Sequence, residues 1–362
     1  MIIALILVVL AALVAVFMQQ ASFGSRPSGV RQEYIKLSPN FKDGSFQNLS
    51  PTPSLTEGAS FSSVLKEFMF GQNKQGKPAS VLPSMKTDLK HLRRDEDVLV
   101  WFGHSSYFMQ VDGKRILVDP VMSGNASPLS FTTRSFPGSD VYTPDELPDI
   151  DYLFISHDHW DHLDYKTIMQ LKPRVGKVIC ALGTGAHLER WGFNKSRIIE
   201  KDWYDDANLG DGFSVSVTPG RHFSGRGFKR NRTLWASFVL RTPSMKLFLG
   251  GDSGYDAHFA DIGKAYGPFD LAILECGQYD KSWKYIHMMP EQVVQAARDL
   301  GAARLLPVHW SKFKLGNHAW NDPIIRVTAA AKAQGMPVST PMIGEAMPLK
   351  DVMPTAAWWE GI

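Results

Sequence analysis

The chain has 362 residues, enough for one large α/β domain with extensions or for two small domains. Its 44% hydrophobic and 21% charged residues are those of a folded globular protein, and a net charge of +3 is too small to imply nucleic-acid binding by itself. Two cysteines, Cys180 and Cys276, are too few for a secreted disulfide framework. Each lies at or just past the end of an apolar run, so both read as buried thiols, with a single disulfide between them left open.

In chain order, the first element is an uninterrupted apolar run over 2–18 without Gly, Pro or charge. As a helix it would span about 25 Å, at the short end of what crosses a bilayer. No basic region precedes it, unlike a cleaved signal peptide. Arg26 and Arg31 follow it, and the positive-inside tendency then favours a cytoplasmic catalytic domain behind a single-pass N-terminal anchor. Residues 19–95 read as an extension. Ser, Pro, Gly and Asn recur over 31–48 as in an extended arm, and 61–70 reads as a short helix. The basic run Lys86, Lys90, His91, Arg93 and Arg94 is either a solvated face or a contact for anionic lipid headgroups.

The compact domain is expected over 96–350, with 351–362 as a tail. Strands are expected at 98–102, 107–111 and 115–118, with Asp112-Gly113 as a hairpin turn between the latter two. Further strands are expected at 151–155, 178–181, 213–218, 234–240, 245–249, 271–274 and 304–308. Helices are expected at 164–171, 185–191, 255–266, 290–300 and 323–334, the last two opened by proline.

The densest signal follows the 151–155 strand. Ser156-His157-Asp158-His159-Trp160-Asp161-His162-Leu163-Asp164 places three imidazoles and three carboxylates in nine residues. These are the ligand types of catalytic zinc and of di-metal sites. Alternate side chains of an extended segment share a face, so His157, His159 and Asp161 converge, whereas His162 needs a turn that breaks the alternation. Three later strands also end at a His or Asp in a turn: 217–222 ending at His222, 248–254 around Asp252, and 305–310 around His309.

The His-x-His-x-Asp-His motif followed by these three segments resembles the metallo-β-lactamase superfamily. Residues 31–344 are similar, more narrowly, to the zinc hydrolases grouped with N-acyl-phosphatidylethanolamine-hydrolysing phospholipase D. The resemblance implies an αβ/βα sandwich behind the anchor helix and extended arm. It implies two Zn²⁺ (or other divalent ions): His157, His159 and His222 on one, Asp161, His162 and His309 on the other, and Asp252 bridging. Asp119, Asp164 and His104 are the candidates for orienting the ligands. His287, in Tyr285-Ile286-His287-Met288-Met289-Pro290-Glu291, matches a histidine beside the substrate phosphate in the phospholipase-like group. With Asp252 and Asp161 it completes the candidate catalytic set.

The expected function is a membrane-tethered di-zinc hydrolase that cleaves a phosphodiester, a phospholipid of the N-acyl-phosphatidylethanolamine type, by metal-activated hydroxide. The alternative is a hydrolase of a small soluble ester or sugar lactone. A nuclease would call for a strong basic stripe, and a non-catalytic binding protein would have lost ligands; neither feature is present. Phe223, Trp283, Tyr285, Trp310 and Phe313 either line an acyl groove or pack as core.

Overall fold

The computed structural model describes residues 1–71, 75–350 and 354–362. Helix α1 (Ile2–Phe17) is followed by α2 (Gly29–Lys36), a small hairpin of β1 (Phe41–Lys42) and β2 (Ser45–Phe46), and α3 (Phe61–Phe70). Then come β3 (Val98–Trp101), β4 (Tyr107–Val111), β5 (Lys114–Val118), β6 (Ile150–Ile155), α4 (Tyr165–Leu171), β7 (Val175–Ala181), α5 (Gly185–Arg190) and β8 (Ile198–Lys201). The second half holds β9 (Asp206–Gly210), β10 (Phe213–Thr218), β11 (Ser237–Arg241), β12 (Lys246–Leu249), α6 (His258–Tyr266), β13 (Leu271–Glu275), α7 (Pro290–Asp299), β14 (Leu305–Val308), α8 (Asp322–Gln334) and β15 (Ala346–Pro348).

The strands form two sheets, ordered β15-β3-β4-β5-β6-β7-β8 and β14-β13-β12-β11-β10-β9. Period-two alternation explains how they face each other. In β6, Tyr152 and Phe154 join the core between the sheets with Phe213, Val217 and Phe238, while Leu153 and Ile155 turn outward to Ile168, Leu171 and Leu188 of α4 and α5. Helices α6, α7 and α8 cover the other sheet with Phe259, Val293 and Ile324. Both sheets are thus buried on two faces, which is why their strands read as continuous apolar runs. The layers are the expected αβ/βα sandwich. Cys180 and Cys276 are buried free thiols, in separate clusters, and burial pushes both pKa values up.

One expectation about the N-terminus needs correction. Helix α1 ends at Phe17 after 16 residues, about 24 Å, and no helix among the described residues is long and apolar enough to cross a membrane. The transmembrane anchor, and the orientation drawn from Arg26 and Arg31, are not supported by an element of that length. Parts of the extension and of the tail pack into the core: Ile35, Phe46 and Trp359 are buried in it, and Trp358 and Trp359 pack on Trp310. Part of the tail expectation, 351–353, lies outside the described residues. In the basic run, Lys86, Arg93 and Arg94 are paired with Glu146, Asp95 and Asp151, as in a solvated face.

Candidate metal centre

The motif leaves β6 extended and then turns back. The His159 carbonyl accepts from the amides of both His162 (3.2 Å) and Leu163 (2.8 Å), which breaks the alternation and returns His162 to the face of His157. Asp164 then caps α4: its carboxylate accepts from the amides of Lys166 and Ser123 and from the Thr167 hydroxyl. Those bonds anchor a helix and orient no ligating histidine, so the expectation for Asp164 is corrected.

The donor atoms gather in three overlapping groups, one of them made of Asp252, Glu275, His287 and His309. His157, His159, His222 and Asp252 offer atoms within 4.8 Å of one another, and so do His104, Asp161, His162 and His309. His159 Nδ1 lies 2.9 Å from His157 Nε2 and 3.2 Å from His222 Nε2. Two nitrogens on one tetrahedral ion at 2.0–2.1 Å stand roughly 3.3 Å apart, so this triangle fits one cation. Asp252 lies between the groups. Its Oδ2 is 3.8, 3.7 and 3.2 Å from the Nε2 atoms of His157, His222 and His162, and its Oδ1 is 3.2 Å from His309 Nδ1.

His162 Nε2, His309 Nε2 and Asp252 Oδ1 are buried without a hydrogen-bond partner. Buried polar atoms left in that state cost stability unless something else satisfies them. A divalent cation does so for this donor set, and the residues present fit two of them.

The surrounding groups select which nitrogen faces inward. Asp119 accepts from His162 Nδ1 (2.8 Å) and from the Ser156 hydroxyl (2.5 Å), and that hydroxyl accepts in turn from His157 Nδ1 (2.9 Å). One carboxylate thereby holds two histidines with Nε2 toward the centre, the arrangement that fixes the ligating tautomer. His104 Nε2 donates to Asp161 Oδ2 at 2.9 Å. Of the residues expected to orient ligating histidines, Asp119 bonds His162 directly, whereas His104 bonds Asp161 and no histidine; Ser156 and Asn48 were not foreseen. The Asn48 side chain pairs with both backbone groups of His222, donating to its carbonyl (2.8 Å) and accepting from its amide (3.1 Å). The extended arm therefore clamps a ligand segment.

Burial, joined by neighbouring imidazoles, pushes His157, His222 and His309 well below the usual histidine range, toward the neutral form that binds metal. Burial opposes the charge on Asp252, but His162 and His309 outweigh it and hold its pKa well below the carboxylate range.

His287 sits beside this centre, its ring 5.0 Å from that of His222 and 5.3 Å from that of His309. It donates from Nδ1 to Glu275 Oε2 at 3.2 Å, and Glu275 Oε1 accepts from the Met288 amide at 2.8 Å. Burial pushes Glu275 up to about 7, against the pull of His287. Glu275 was not foreseen. Its signal was available: it closes the apolar run Leu271–Glu275 as Asp252 and His309 follow theirs. Trp310 and Phe313 are buried core residues rather than groove lining, while Phe223, Trp283 and Tyr285 are half-buried.

A two-sheet sandwich with paired His/Asp clusters at the strand ends defines a metal-dependent hydrolase. Residues 114–310 match the family model described as a beta-lactamase superfamily domain, and the chain belongs to the metallo-β-lactamase superfamily. An uncharacterized protein of Mycobacterium tuberculosis is 36% identical over 94% of this chain and 92% of its own length. N-acyl-phosphatidylethanolamine-hydrolyzing phospholipase D 1 of Caenorhabditis elegans is 29% identical over 81% of this chain and 87% of its own. In fold, the chain is similar to Igni18, a metallo hydrolase of Ignicoccus hospitalis, with TM-score 0.53 and 23% identity over 69% of this chain and 97% of that one.

Proposed function

We propose that the protein is a phosphodiesterase that cleaves a glycerophospholipid of the N-acyl-phosphatidylethanolamine type on the headgroup side of its phosphodiester. The products are phosphatidic acid and an N-acylethanolamine. His157, His159 and His222 would hold one divalent ion, Asp161, His162 and His309 the other, with Asp252 shared; zinc is the expected metal. Bound there, the ions supply hydroxide at neutral pH and a Lewis-acid grip on a phosphoryl oxygen. The observation that carries the reading is His287. Glu275 engages its Nδ1, which leaves Nε2 for a substrate beside the metal groups. Burial lowers the His287 pKa, but Glu275 outweighs it and raises it. The cationic ring carries a second proton on Nε2. It gives that proton to the departing alkoxide as the P–O bond breaks and is left as the neutral Nδ1–H imidazole, so that water and diester become phosphate monoester and alcohol. The relative named for this activity supports the same reading.

Helix α1 supports association with a lipid surface, since none of its residues is buried and none is charged. A surface-bound enzyme meets lipid at high local concentration. The test is to assay purified protein of known metal content against N-acyl-phosphatidylethanolamine in detergent and against soluble lactones. Release of N-acylethanolamine supports the proposal; rapid lactone opening with every phosphodiester ignored replaces it with the soluble-ester reading.

A further inference from the structure

The foot of α1 is fastened to the catalytic domain over a basic cavity. After the helix, residues 19–25 lie against the metal-ligand loop. Arg190 donates to the carbonyls of Gln19 (2.7 Å) and Gly24, Trp191 Nε1 to Ala21 (2.7 Å), and Arg226 Nε to Ser22 (2.9 Å). The Ser25 amide donates to His187 Nδ1 at 2.9 Å. Gly24 crosses so closely that a Cβ there would stand 1.9 Å from His187 Nδ1.

The cavity beside this strap, about 390 Å³, is lined by Arg26, Arg190, Arg226, Lys229, Arg232 and Phe228 among others. Its one carboxylate, Asp158, is already engaged by the Gly225 amide and His187 Nε2. Arg226 is only 5% exposed and its Nη2 is buried with no hydrogen-bond partner. Among the described residues Arg26, Lys229 and Arg232 have no ion pair, in contrast to Lys86, Arg93 and Arg94. Phe228 is 83% exposed, and α1 leaves from the same edge with Ile2, Ile3 and Leu5 fully in the open.

We propose that this cavity is a non-catalytic site for the phosphate of an anionic phospholipid, seated where the apolar helix enters one leaflet. A buried guanidinium with a spare N–H and unpaired cations at the rim suit a phosphate oxygen. An adjoining apolar helix with basic residues at its foot is the composition of an interfacial segment. The inference rests on the lipid-surface reading of α1 but not on phosphodiester cleavage.

The test compares binding of the full metal-loaded chain to phosphatidylcholine vesicles with and without phosphatidylglycerol, by co-sedimentation. Each cation at an anionic surface contributes roughly fivefold in affinity, so at least about tenfold tighter binding to the anionic vesicles is expected. A Lys229→Ala, Arg232→Ala variant should lose that preference with its metal content and circular dichroism unchanged, while a Lys86→Ala, Lys90→Ala variant should keep it. Equal affinity for both vesicles overturns the proposal, as does loss of the preference in the Lys86/Lys90 variant instead. Calorimetric binding of inorganic phosphate that is lost with Lys229 and Arg232, without any vesicle preference, would make this a free-phosphate site. Because the readout is binding, a chain inactive on every phosphodiester can still pass.

Discussion

Glu275 and His287 form a buried pair beside the centre, and in the proposed reaction they divide the work. An imidazole with Nδ1 unbound could present either nitrogen; Glu275 holds Nδ1–H and with it the ring, and against burial it raises the His287 pKa toward the cationic form that carries a proton on Nε2 as well. His287→Ala is expected to retain both metals while kcat for the phosphodiester falls roughly 10²-fold or more. Glu275→Gln should retain them too and lower kcat by about 10–100-fold, the usual cost of losing an orienting partner. Metal content by elemental analysis and single-turnover rates separate the two roles; wild-type turnover in His287→Ala would return that residue to the packing. Asp252→Ala should instead lose metal, because a shared anion between two cations is gone. The ligands were legible in sequence because each follows an apolar strand. Ser156 and Asn48 were not, since a serine or asparagine in a loop carries no mark of the histidine that it will meet in space.

At the scale of elements, the His-x-His-x-Asp-His turn and the 19–25 strap act as one unit. Arg226 joins them: it donates from Nη1 to the carbonyls of Asp158 (2.8 Å) and Leu163 (2.7 Å) while its guanidinium lies 3.9 Å from the centre of the Trp160 ring. Phe23 of the strap packs edge-on against Trp160 at 5.1 Å. These contacts give the strap a part in holding the loop that carries the His-x-His-x-Asp-His motif. Removing 1–17 should therefore leave metal content intact, whereas removing 1–26 should lower it. Arg226→Ala, which strips four carbonyls of a charged donor, should cost about 2–3 kcal/mol, or roughly 3–4 °C in Tm. Full metal content and unchanged Tm in the 1–26 deletion would show the strap to be passive. Two of the strands that sequence reasoning missed share a character. β8 is half-exposed at a sheet edge, and β9 reads Asp-Ala-Asn-Leu-Gly, rich in residues that strands disfavour. Only pairing with a neighbour makes such segments strands.

For the whole molecule, periodicity marked buried strands but could not say that they belonged to two sheets; strand order is a long-range property, and the family resemblance supplied it. The sandwich brings residues from 48 to 309 to one end, so the centre ties together elements from both sheets. His157 and His162 follow β6 of one sheet, while His222, Asp252 and His309 follow β10, β12 and β14 of the other. A cation bound by donors from both sheets links them, and one that binds the folded state far better than the unfolded chain stabilises it by RT ln(1 + [M]/Kd). Each tenfold rise in free metal above Kd should then add about 1.4 kcal/mol per site. In the metal-free protein, the buried Asp252 and the orphaned nitrogens of His162 and His309 remain uncompensated, so chelation should lower Tm beyond any effect on activity. Scanning calorimetry in zinc buffers of graded free concentration measures this directly. A slope corresponding to two ions is expected for the wild type and a smaller one for Asp252→Ala. A Tm independent of free metal, in protein shown to bind it, would mean that the centre is a passenger on a fold already complete without it.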